Sequence, residues 1–106
     1  MASQLLRAAA AVGTSRTTLI TAAAGKQTIV VTGTVANIDV TNKATHFVTI
    51  EVNAGGTYRA VVKDAPVPYG GSLELLKIVL QAGDVLVMTA STTGVLEGYV
   101  SYVQKD

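Results

Sequence analysis

Side chains able to do chemistry are few in this chain, and their spacing selects no reaction. His46 is the single histidine and cysteine is absent, so a metal site would have to be completed by carboxylates alone. The acids Asp39, Glu51, Asp64, Glu74, Asp84 and Glu97 fall near turns or on expected outward strand faces, the ordinary place for solvated carboxylates. Any two of them could be drawn as the acid and base of a glycosidase, and nothing favours one pair over another. Gly55-Gly56 and Gly70-Gly71 are followed neither by a helical pattern whose N-terminus could take a phosphate nor by a Lys-Ser/Thr pair, which leaves them as turn residues. Tyr58, Tyr69, Tyr99 and Tyr102 could stack on sugar rings, but tryptophan is absent, and Tyr99 and Tyr102 fall on opposite faces of one strand. The residues therefore read as non-enzymatic, with no catalytic residue, no cofactor and no metal site, and with carbohydrate binding as the competing reading.

The elements that would position these groups are short and rich in Val, Thr and Ile. From Thr17 to Val103, period-two segments are cut by Gly-containing turns, which predicts an all-β fold: a single antiparallel β-sandwich or jelly-roll of seven to eight short strands. The clearest alternation sets His46, Val48, Ile50 and Val52 on one face and Phe47, Thr49, Glu51 and Asn53 on the other. His46 then ends a core-facing row, where a hydrogen-bonded imidazole is expected. Past the Ala54-Gly55-Gly56 hairpin, Tyr58, Ala60 and Val62 are expected to face in and Arg59 and Lys63 out. Gly33, inside a segment running from Thr28 to Val40, marks a bulge or a corner. Pro66 and Pro68 lack the ladder donor, so Ala65 to Gly71 reads as a rigid loop crossing between sheets. Leu73 and Leu75 alternate in one phase and Leu76, Ile78 and Leu80 in the other, which demands an extra residue or a bend near Leu75-Leu76.

Residues 1–14 differ in character from the β-sandwich domain expected over residues 15–106. Ala8 to Ala11 with Leu5 and Leu6 permits about two helical turns capped by Ser3, a length marginal on its own, so the segment reads either as a disordered tail or as an extended or short helical arm that orders against a neighbouring subunit. Arg7 lies after the leucines and the apolar run is short, which argues against a secretory signal. The 106 residues are 49% apolar and 14% charged, with net charge +1 and mean hydropathy +0.43. That length supports one core, and no stretch approaches the roughly 20 apolar residues that cross a bilayer. No basic field is present to attract nucleic acid or an anionic membrane. Surplus apolar surface is expected between subunits. The interface candidates are Leu5, Leu6 and Val12 on the arm, Phe47 and Val61 as outward apolar groups, and Tyr69 in the proline loop.

The order of segments resembles small structural proteins of tailed-bacteriophage virions. The likeness rests on the stretch Thr17 to Lys26, the Gly55-Gly56 hairpin, VKDAPVPYGGSLELL from Val61 to Leu76, KIVLQAGDVLVMTAS from Lys77 to Ser91, and VLEGYVSYV from Val95 to Val103. It departs from the pattern where Leu76 runs directly into Lys77 without a Gly-rich turn, leaving Leu73 to Leu80 as either a hairpin or one bulged strand. The resemblance implies a capsid decoration or cement protein, a homo-oligomer (trimer or dimer), that binds across major capsid subunits in a virion assembled in the host cytoplasm. Its alternatives are a tail, neck or fibre component, or a carbohydrate-binding module for host attachment.

Overall fold

The computed structural model describes residues 3–75 and 77–105. Among them are nine strands: β1 Ser3–Val12, β2 Thr17–Thr21, β3 Gln27–Asn37, β4 His46–Ala54, β5 Thr57–Val67, β6 Ser72–Leu75, β7 Ile78–Leu80, β8 Val85–Ala90 and β9 Leu96–Lys105. They form two antiparallel sheets, a β-sandwich. Sheet A has the order β1-β9-β3-β6, with β7 also on β3, and sheet B the order β2-β8-β4-β5. The inner faces meet over Val12, Val30, Val35, Val48, Ile50, Leu80, Leu86, Met88, Leu96 and Val100, each at most 1% exposed.

The helical alternative for the arm is overturned. Ser3–Val12 is a strand paired with β9 at every position from Ser3↔Lys105 to Val12↔Leu96. A helix of two turns has no packing partner to offset its nucleation cost, whereas β9 offers ten residues of backbone pairing and a core site for Val12.

β4 alternates as expected: Val48 and Ile50 are fully buried and Phe47 is exposed. β5 does not. Tyr58 and Ala60 pair with the outward Asn53 and Glu51, so they face outward, and only Val62, opposite the buried Ile50, faces in. Two register shifts, between Val48 and Ile50 and between Ile50 and Glu51, each insert one residue into β5 and reverse its phase. The first is held by Thr49, whose Oγ1 accepts from the Asp64 N–H at 3.1 Å and donates to Asp64 Oδ1 at 3.2 Å, with Asp64 at φ 47°. Ala65 to Val67 also belong to β5 rather than to the loop, Pro66 lying opposite Phe47. A proline is tolerated there because β5 is an edge strand. The chain then crosses to sheet A at β6.

β3 is continuous through Gly33. Its irregularity against β9 lies between Val30 and Thr32, and Gly33 serves close packing instead: a Cβ there would sit 2.8 Å from Leu75 Cδ1 and from Val100 Cγ1. The Leu73 to Leu80 segment is not a hairpin. Gly33↔Leu75 and Val30↔Ile78 continue a single register on β3, so β6 and β7 lie along one strand line; the expected bend at Leu75-Leu76 falls partly on Leu76, which lies outside the described residues.

Candidate functional site

Three features of the surface stand apart from ordinary solvated sandwich: a polar groove on sheet B, an outer face on sheet A that mixes exposed apolar and charged groups, and one open edge. The groove is lined by Ser15, Arg16, Thr49, Glu51, Lys63 and Asp64, among others, and encloses about 710 Å³. Arg16 grips Glu51 through Nε at 3.0 Å and Nη2 at 3.5 Å, and its guanidinium lies 3.7 Å from the Tyr58 ring centroid. The hydrogen bond to Glu51 holds the Arg16 pKa above its ordinary value. Glu51 is thus occupied with Arg16 and Asp64 with the β5 bulge, and Tyr58 has its ring covered by a cation rather than offered to a sugar.

His46 is held as the sequence indicated, with its Nε2 2.7 Å from Asp39 Oδ2. Asp39 is not solvated, contrary to expectation: it is 6% exposed and also accepts from the Asn42 N–H at 3.0 Å. The His46 hydrogen bond, followed by the Asn42 N–H, lowers its pKa below the usual carboxylate value. Asn37 completes the cluster, donating through Nδ2 to the carbonyls of Ala44 and Val67, each at 2.8 Å, and accepting from the Asp39 N–H at 2.9 Å. This network folds the loop between β3 and β4. No group of three or more metal-ligating side chains occurs among the described residues.

The six interface candidates are not brought together. Leu5 is 77% exposed on the outer face of sheet A, whereas Phe47 and Val61 are exposed on sheet B and Tyr69 lies in the turn after β5, its ring 6.0 Å from Lys43 Nζ. Val12 is in the core at 1% exposure, and Leu6, half-buried, faces inward with Ala8; neither is available to a partner while β1 stays on β9. Tyr99 and Val79, exposed on sheet A, were not among the interface candidates. The signal for Tyr99 was present in the terminal strand, where Leu96, Gly98, Val100 and Tyr102 alternate with Glu97, Tyr99, Ser101 and Val103.

The edges differ in how they are guarded. β5 is bulged twice and carries Pro66 and Lys63, β2 is five residues long with a register shift, and β6 and β7 are four and three residues. Bulges, prolines, charges and short length are the devices that keep an edge from pairing with another chain. β1 has none of them except Arg7: ten residues, SQLLRAAAAV, in unbroken register.

A two-sheet β-sandwich with one unguarded edge is therefore the class that fold and surface define. No family model matches the sequence, and no curated protein matches it. Among solved structures the chain is similar to one described as "Bacillus endospore appendages form a novel family of disulfide-linked pili", with TM-score 0.60 and 13% sequence identity over 98% of this chain and 86% of that chain. At that identity the likeness concerns the fold.

Proposed function

We propose that this chain is a non-enzymatic structural subunit of a multi-chain particle, and specifically a decoration or cement protein of a tailed-bacteriophage capsid that binds across major capsid subunits. The observation that carries the reading is the open β1 edge, a ten-residue row of backbone donors and acceptors suited to pairing with another chain. The strand order β1-β9-β3-β6 opposite β2-β8-β4-β5 is read here as a jelly-roll, an architecture frequent in viral capsid and lectin domains. The engaged carboxylates of the sheet B groove fit the absence of a catalytic role.

A fibre subunit is the second reading, favoured by the fold shared with a pilus protein. The 106 residues contain no cysteine, so a fibre built from this sequence would hold together without disulfides. Quantitative mass spectrometry of particles purified from the source decides between them. A ratio to the major shell protein near one or a simple fraction supports cement. A few copies per particle moves the chain to the tail or neck, and filaments composed mainly of this chain support the fibre.

A further inference from the structure

The outer face of sheet A is asymmetric along its strands, with bulky apolar groups at one end and alanines at the other. At one end, Leu5, Val103, Ile29 and Val79 stand side by side, one from each of β1, β9, β3 and β7, with Leu5 77% and Val79 49% exposed. They form a ridge across the sheet. At the other end Ala9, Ala11 and Ala36 border a shallow groove of about 480 Å³ beside Tyr99 and Glu97. Charge follows the same polarity. Along β9 the outward residues run Glu97, Tyr99, Ser101, Val103, Lys105, so the acid lies at the groove end and the base at the ridge end, and Glu74 on β6 adds a second acid level with Tyr99 through Thr34.

We propose that this face binds a second copy of the same chain, face to face and antiparallel, the ridge of each copy lying on the Ala9, Tyr99 and Thr34 row of the other. A two-fold axis across the strands at the Ser101 row exchanges Glu97 with Lys105, Tyr99 with Val103, and Ala9 with Leu5. Leu5 then meets Ala9, Val103 the ring of Tyr99, Ile29 meets Thr34 and Glu97 meets Lys105, whereas Glu74 meets Val79 at one sheet edge and Arg7 its own counterpart at the other. Arg7 lies on the axis row but at the sheet edge, where its long stem carries the guanidinium out to water. Stacked sheets pack about 10 Å apart and cross at about 30°, a rotation the four-residue-wide ridge accommodates. Four strands about 4.8 Å apart and nine residues of about 3.4 Å give a face on the order of 550 Å², so a pair of copies buries about 1,100 Å², close to the lower bound of specific interfaces. The arrangement is isologous and closes at a dimer, and it leaves the β1 backbone edge free. It rests on the reading of the chain as an assembling subunit.

Sedimentation velocity of the purified chain over a range of concentrations tests it, with thermal melts confirming that each variant is folded. Glu97→Lys and Lys105→Glu are each expected to weaken dimerisation about tenfold, the double variant to restore it to within about threefold, and Tyr99→Arg, at the centre, to abolish it. A wild-type chain that stays monomeric at the highest concentration overturns the proposal, as does a dimer indifferent to Glu97 and Lys105 or a double variant no better than the singles. None of these failures touches the copy number in the particle, which tests the parent reading separately.

Discussion

Buried polar atoms decide most at the scale of single residues. Asn37 spends both amide hydrogens on the carbonyls of Ala44 and Val67, so Asn37→Ala strands two acceptors, one in the loop and one at the end of β5, and leaves the loop to the Asp39 contacts with His46 and the Asn42 N–H. A stability loss of about 2 kcal/mol is expected in urea denaturation. Thr28 presents the opposite case, since its Oγ1 is buried without a hydrogen-bond partner among the described residues, and Thr28→Val keeps the shape while removing that hydroxyl. A gain of about 1 kcal/mol is expected, and a lower melting temperature would reveal a partner for the hydroxyl. Asp39 makes the pH dependence. Its folded pKa is lowered, first by His46 and then by the Asn42 N–H, so its contribution is fully present above the unfolded value near 3.8 and is lost as pH falls through the folded value below that. The stability difference between wild type and Asp39→Asn should therefore shrink below pH 3.8; a constant difference would contradict the network. His46 was legible because alternation fixed its face, whereas the burial of Asp39 depends on a loop closing over it, which no period reports.

Elements show where sequence patterning loses its information. In β4 the two faces differ in chemistry, and the alternation announces them. In β1 the inward Ala8 and Ala10 and the outward Ala9 and Ala11 are the same residue, so a period-two strand carries no period-two signal there. β5 was misread for another reason: its phase is set by two inserted residues, one fixed by the Thr49 to Asp64 hydrogen bonds, and Tyr58 and Ala60 are carried to the outer face by a count no local composition reveals. The strand assignment of β1 has a direct consequence. Removing residues 1–12 strips the pairing of β9 along its length and opens the site of Val12, and a loss of more than about 3 kcal/mol, or loss of cooperative unfolding, is expected. A dispensable tail would leave the denaturation midpoint unchanged.

On the scale of the whole molecule, the two kinds of contact surface are orthogonal: a side-chain face on sheet A and a backbone edge along β1. A chain with only the first would stop at a dimer, while an edge can join that dimer to a different chain without competing for the same atoms. Hydrogen exchange separates them. In an edge strand, alternate N–H groups point away from the sheet and exchange freely, so in the isolated chain about half of the β1 amides are expected to exchange within seconds while those bonded to β9 are protected. Dimerisation through the face shields side chains and leaves the outward β1 amides fast. Incorporation into the particle should slow those amides by at least about 100-fold, because each gains a carbonyl partner, whereas the edge amides of the twice-bulged β5 should keep their solution rates. Protection appearing on β5 instead, or on neither edge, would mean that the particle holds this chain by side chains alone and that the length and regularity of β1 serve only its own sheet.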